Sequence, residues 1–135
     1  MVRLIDANIS LAVFLNRSEF VKDFSMNWKL CETEQAKGYL SALTFANLVY
    51  IMRKQQDSEK IEDVYRMLSL IFEFAEFSVA DLTRATELKW VDFEDAVQNV
   101  VAERIHADYI ITRNVRDFFK SKVMAFTPSE LLARI

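Results

Sequence analysis

Three acidic residues lie far apart in the chain, yet each stands at or near the end of an element. Asp6 closes the apolar opening Val2-Arg3-Leu4-Ile5, Asp95 sits in Asp92-Phe93-Glu94-Asp95, and Asp117 follows the hydrophobic run Tyr109-Ile110-Ile111-Thr112. If those ends meet in space they form a carboxylate cluster. Two bare carboxylates about 4 Å apart repel by roughly 1 kcal/mol in water and by about 4 kcal/mol at an effective dielectric near 20. Such a cluster asks for a cation, and oxygen ligands without His or Cys beside them point to a hard divalent ion, Mg²⁺ or Mn²⁺. Phosphate chemistry is the natural use of such an ion.

Other chemistries find less support. His106 is the single histidine, which excludes two-His metal motifs, and its place at a helix end suits an imidazole meeting the last carbonyls. Cys31 is alone, so it forms no internal disulfide and nucleates no zinc site. With one glycine in the whole chain, neither a phosphate-binding loop nor a dinucleotide fingerprint can be built. A net charge of −3 argues against indiscriminate coating of nucleic acid, but leaves room for a nuclease whose metal supplies local positive charge. Arg104, Arg113 and Arg116 gather near the suspected site in sequence and could offset phosphate charge; ordinary solvated surface cations are the competing reading.

The elements that must position these groups follow from periodicity. A 135-residue chain that is 52% hydrophobic has room for one compact domain, 1–135, with a sizeable core and no second one. No apolar stretch reaches the roughly 18 residues of a membrane helix, and the start has no secretory layout, so a cytoplasmic location is expected. Residues 2–6 read as a short buried strand, followed by helical spacing over 8–15 and 18–35, with Gly38 ending that region. Residues 39–43 read as a strand, with Thr44 capping a helix that runs through Phe45, Leu48 and Met52. The next helix starts at Asp57 or Ser58. Residues 77–80 read as a third strand, with Asp81 capping a helix to about Lys89.

From Asp92 to Ala107 the pattern is amphipathic, with Phe93, Ala96, Val97, Val100, Val101 and Ile105 on one stripe and Asp95 off it. Asp92 caps this helix, with a second carboxylate three residues on. Residues 109–112 form a buried strand, 115–119 a short helix and 123–126 a last strand, before a helical turn at Pro128. Alternating strands and helices mean a mainly parallel sheet covered on both faces. Ligands in such folds bind outside the carboxyl ends of the strands, where strand order reverses. Asp6 and the residues from Asn114 to Asp117 hold such positions.

The string Asp92-Phe93-Glu94-Asp95-Ala96-Val97-Gln98, with Ala102 and then the run from Ala107 to Phe118, resembles the C-terminal half of a PIN domain. Ile5-Asp6-Ala7-Asn8 is similar to the family's N-terminal motif, and Ser41-Ala42-Leu43-Thr44 with Leu48 to its middle segment. The resemblance implies a three-layer α/β/α sandwich around a five-stranded, mostly parallel sheet. It also implies RNA cleavage with Mg²⁺ or Mn²⁺, and for many small members a role as toxin of a type II toxin-antitoxin pair. Carried over by position, Asp6, Asp95 and Asp117 match metal-coordinating acids. Thr112 matches a supporting hydroxyl, Asn8 a polar residue near the first Asp, and Asn114 stands on the adjoining loop. The family's middle segment usually carries a Glu where this chain has Asn47, whose carbonyl oxygen can ligate but brings no charge.

Two functions follow. The first is a metal-dependent ribonuclease in which Asp6, Asp95 and Asp117 hold metal and Asn47 orients a ligand. Asn8, Thr112, Asn114, Arg113 and Arg116 then face substrate, and a cognate antitoxin is the implied protein partner. The second is a catalytically silent PIN-like module that binds RNA or a protein partner. The family and the apolar Phe20, Phe24 and Trp28 also raise the expectation of a homodimer, with core filling as their competing role.

Overall fold

The computed structural model describes residues 2–5, 37–52, 58–112, 114–127 and 129–130. Five strands form one sheet: β1 (Val2–Ile5), β2 (Lys37–Ser41), β3 (Glu73–Ala75), β4 (Tyr109–Ile111) and β5 (Met124–Phe126), in the order β3-β2-β1-β4-β5. Every pairing is parallel, with Leu4 opposite both Tyr39 and Ile110 at the centre. Among the described residues four helices accompany them: α1 (Ala42–Met52), α2 (Ser58–Ile71), α3 (Val79–Leu88) and α4 (Phe93–Arg104), with a 3-10 turn at Val115–Phe118. From β1 to β3 the chain steps toward one edge; from β3 to β5 it steps toward the other. Because parallel crossovers are right-handed, this reversal puts α1 and α2 on one face and α3 and α4 on the other, giving the α/β/α sandwich. The point of reversal lies between β1 and β4, whose carboxyl ends Ile5 and Ile111 stand in register. No helix among the described residues is long and apolar enough to cross a membrane.

Local chemistry explains where the structure departs from the pattern read along the chain. The second strand is 37–41 rather than 39–43, because the Ser41 hydroxyl accepts from the Leu43 N–H at 3.2 Å and turns the chain into helix at Ala42. Thr44 is therefore no cap; it lies buried in the first turn of α1. Gly38 belongs to β2, opposite Arg3. The third strand is Glu73–Ala75, not 77–80. There Ser78 is the N-cap of α3 and makes a capping box with Asp81: the Ser78 hydroxyl accepts from the Asp81 N–H at 3.2 Å, and the Asp81 carboxylate accepts from the Ser78 N–H at 3.0 Å. Two reciprocal bonds outweigh the strand preference of Phe77 and Val79. The expected helices within 8–35, Cys31 and the turn at Pro128 lie outside the described residues.

The core runs through α4. Where one apolar stripe was expected, every residue from Asp95 to Ala102 is buried, because the sheet covers one side and α3 and the 3-10 turn cover the other. Phe93, at the helix start before this cover begins, is 44% exposed. Leu4, Val97, Val100, Val101 and Ile110 form the centre of the cluster, each side chain worth about 1.5–3 kcal/mol of burial. Ala85 and Ala102, both essentially inaccessible, let α3 and α4 approach closely.

An ion pair closes the outer face. Arg104 Nε donates to Asp81 Oδ1 at 2.9 Å, and the same guanidinium donates to the carbonyl of Glu76. Burial alone would raise the Asp81 pKa, but the Arg104 hydrogen bond and the Ser78 N–H outweigh it and hold the carboxyl below its ordinary value of 3.8. The native state thus binds this proton more weakly than the unfolded chain does. Stability from Asp81 is complete above the unfolded value and drains away as pH falls through the lower native one. Asp81→Asn should cost about 3 kcal/mol at neutral pH, since it leaves Arg104 without its charge partner. Urea denaturation should show the gap from wild type shrinking below pH about 4; a gap independent of pH would rule out this linkage.

Candidate functional site

Asp95 owes its position to Asp92. The Asp92 backbone is extended (φ −101°, ψ 115°), and its carboxylate accepts from the Asp95 N–H at 3.1 Å, so the first turn of α4 starts where β-strand geometry ends. Asp95 is 7% exposed, the first buried residue of the helix. Across from it, Thr112 follows β4 and is fully buried; its N–H donates to Phe126 O at 3.0 Å and its hydroxyl accepts from the Asn114 N–H at 3.1 Å. That side-chain bond turns the chain out of the sheet into the 3-10 turn, where the Asp117 N–H donates to Asn114 O at 3.0 Å. The sequence expected a short helix over 115–119; the structure has one at Val115–Phe118, in the tighter 3-10 form.

These two constructions face each other. Asp95, Asp92, Asp117 and Arg116 all line one cavity of about 500 Å³. A second pocket of about 340 Å³ shares Arg116 and Asp117 and adds Asn114, Thr127 and Glu130. Two of the three acids singled out in the sequence are therefore brought together, with one of the arginines. Asp6, Asn8 and Arg113 lie outside the described residues; β1 ends at Ile5, in register with Ile111. Arg104 takes no part, being held by Asp81 and Glu76 on the far side of α4. His106 is exposed in a left-handed turn (φ 56°), donating its N–H to Glu103 O, as a helix-end residue should.

Asn47 meets α4 rather than the cavity. Its amide donates to Glu94 Oε1 at 3.1 Å, and one turn deeper Gln98 Nε2 donates to Thr44 Oγ1 at 2.6 Å. Thr44 and Asn47 are three apart on α1, and Glu94 and Gln98 four apart on α4, so the two contacts make consecutive rungs between two helix faces. Gln98 Oε1 is buried with no hydrogen-bond partner among the described residues, one turn beyond Asp95. Glu94 thus turns to Asn47, while Asp95, about 100° round the helix, lines the cavity.

Several residues on the cavity wall had no signal in the sequence. Trp90 packs edge-on against Phe118, ring centroids 6.2 Å apart, joining the turn after α3 to the 3-10 turn. Lys89 ends α3 in the left-handed conformation (φ 55°), which costs a residue with a Cβ about 1 kcal/mol relative to glycine. Phe119 and Lys120 complete the wall.

Chemically, the described residues of the cavity offer carboxylate oxygens and no His or Cys, a set that fits a hard divalent ion better than zinc or copper. Among the described residues no three His, Cys, Asp or Glu side chains come together closely enough to hold a metal.

Comparison with known proteins gives a consistent result. The PIN domain family model matches residues 3–116. No curated protein matches the sequence. Among solved structures, VapBC2 from Rickettsia felis bound to a DNA fragment from its promoter superposes with a TM-score of 0.74 at 18% identity, covering 94% of this chain and 98% of that one. VapBC-1 from nontypeable Haemophilus influenzae gives 0.69 at 15% identity, with 96% and 99% covered. FitAcB from Neisseria gonorrhoeae gives 0.60 at 21%, with 96% and 99% covered.

The rungs between α1 and α4 are testable as a unit. Thr44→Val leaves the Gln98 amide buried without its acceptor and should cost about 2 kcal/mol in chemical denaturation. Adding Gln98→Leu removes the stranded group, so the double variant should lose less than the sum of the two singles. Strict additivity would show that the two side chains are not coupled.

Proposed function

Since the chain belongs to the PIN domain family, we propose that it is a Mg²⁺- or Mn²⁺-dependent ribonuclease and the toxin of a type II toxin-antitoxin pair, acting in the cytoplasm. The observation that carries this reading is the shared cavity of Asp95 and Asp117. The likeness of nearly the whole chain to the VapBC and FitAcB structures supports a cognate antitoxin as partner.

In this reading Asp6, Asp95 and Asp117 hold the ion, and the Asp95 N–H is already capped by Asp92. A bound divalent ion supplies an activated water and neutralises charge developing on the phosphate. Thr112 fixes the loop that carries Asn114 and Asp117, so its part is to position them. Asn8 and Asn114 orient water or phosphate, and Arg113 and Arg116 attract the RNA backbone. Asn47 acts through Glu94, to which its amide is bonded. Attack by water would leave 5′-phosphate and 3′-hydroxyl ends.

One observation favours a second reading, a catalytically silent module that binds RNA or a protein. Asn47 stands where the family usually has an acid, so one negative charge is missing from the middle segment. Cleavage of a mixed RNA pool separates the two. Wild type should cut with Mg²⁺ or Mn²⁺, and the Asp95→Asn, Asp117→Asn double variant should lose at least a hundredfold in rate. Calorimetric titration with Mn²⁺ should give binding that the double variant lacks. Failure of wild type to bind metal, with binding gained in Asn47→Glu, would favour the silent module. A homodimer is part of the same proposal, and sedimentation at micromolar concentration should show a dimer; monomer alone would exclude it.

A further inference from the structure

The acids of α3 and α4 differ in the company they keep. Asp81 is paired with Arg104 and Glu103 with Arg84, so each of those charges is offset by a cation within 3.0 Å. Glu94 is held by a neutral group instead: the Asn47 amide reaches from α1 and donates to its Oε1 at 3.1 Å. Among the described residues no Lys or Arg forms an ion pair with it. Its negative charge therefore survives in the first turn of α4, one residue before Asp95, which lines the cavity. An exposed glutamate ordinarily samples many rotamers, and a bond to a half-buried side chain on a second helix confines this one. A first-turn acid also suits the helix dipole, but that benefit asks for no partner on α1.

We propose that Glu94 lends its charge to the ion site of Asp95 and Asp117 from outside the ion's ligand shell, with Asn47 as the residue that positions it. This rests on the metal-dependent reading and deepens it, by adding a residue to that site. Consecutive residues stand about 100° apart on a helix about 10–12 Å across, so the ends of the Glu94 and Asp95 side chains lie about 8 Å from each other. That is too far for one ion to take both as ligands, in keeping with the absence of a three-carboxylate cluster among the described residues. It is well within reach of the field, since the screening length is about 30 Å at 10 mM salt. Coulomb's law in water makes a unit charge at that distance worth about a fourfold change in affinity for a divalent ion. Nothing requires the charge to sit on α4. An amide at 94 and a carboxylate at 47 would exchange donor and acceptor and leave one negative charge in the same place.

The test is calorimetric titration with Mn²⁺ at about 10 mM and about 1 M salt, with urea denaturation of every variant. Glu94→Gln keeps a side-chain oxygen for the Asn47 amide and removes only the charge. It should unfold at the wild-type urea concentration and bind Mn²⁺ about fourfold more weakly at low salt. At high salt the loss should shrink below about 1.5-fold, because the screening length falls to about 3 Å. The isosteric swap Asn47→Asp with Glu94→Gln should recover wild-type affinity to within about twofold. Asn47→Asp alone sets two carboxylates against each other and should unfold at a lower urea concentration. Wild-type affinity in Glu94→Gln at low salt, or a loss equally large in both salts, would overturn the role of Glu94 and spare the ion site. So would a swap that folds as wild type yet binds no better than Glu94→Gln, or an Asn47→Asp variant as stable as wild type. Absence of Mn²⁺ binding by wild type would overturn the ion site itself, and the role of Glu94 with it.

Discussion

A helix buried on every side is the constraint on which the rest of this molecule depends. From Asp95 to Ala102, α4 has no solvent face, so each polar side chain it carries must find its partner inside the protein. Gln98 reaches Thr44 on α1, and Asn99 accepts from the Ser121 hydroxyl at 2.6 Å, which in turn accepts from the Val123 N–H just before β5. These bonds have direction, whereas the valines around them would tolerate a small rotation. The polar minority of α4 therefore sets the angle at which Asp95 emerges at its first turn. Interior hydrogen bonds of this kind add less to stability than to a single arrangement.

The frame is tied again at the other end of α4. Asp81 and Arg104 fasten α3 across it, and the same Asp81 closes the capping box that starts α3. One carboxylate thus decides both where that helix begins and where it lies. Its far end delivers Lys89 and Trp90 to the cavity, and Trp90 meets Phe118 from the opposite wall. The cavity is consequently a gap between two segments that are each anchored in the core, rather than a fold in a loose loop.

What the sequence disclosed was mostly local. Asp92 as cap of α4 was legible because its signal spans three residues, and the alternation of elements gave the parallel sheet. Ser78 and Asp81 carried an equally local signal, a capping box, but the β-branched and aromatic character of 77–80 pointed to a strand and concealed it. The all-round burial of α4 could not be read from one helix, since it depends on what α3 and the 3-10 turn lay over it. Contacts between distant elements were invisible for the same reason: nothing in the composition pairs Asn47 with Glu94 or Thr44 with Gln98. Asp95 and Asp117, which line one cavity, were singled out from the placement of acids at element ends and from the family resemblance. The aromatic and basic wall was not, because an exposed phenylalanine looks like a core residue until its neighbour has taken the core position.

The ordering of the sheet has one more consequence. Its outermost strands, β3 and β5, are three residues long, as is the inner β4, while β1 and β2 run to four and five. A short rim offers few free N–H and C=O groups, so another chain gains little by adding a strand there, and Glu73 sets a charge on one of these rims. Assembly with other proteins must then rely on side-chain surfaces of the helical layers and not on extension of the sheet. The same economy protects the protein from edge-to-edge aggregation, a hazard for any parallel sheet that must wait for distant parts of the chain before its strands can pair.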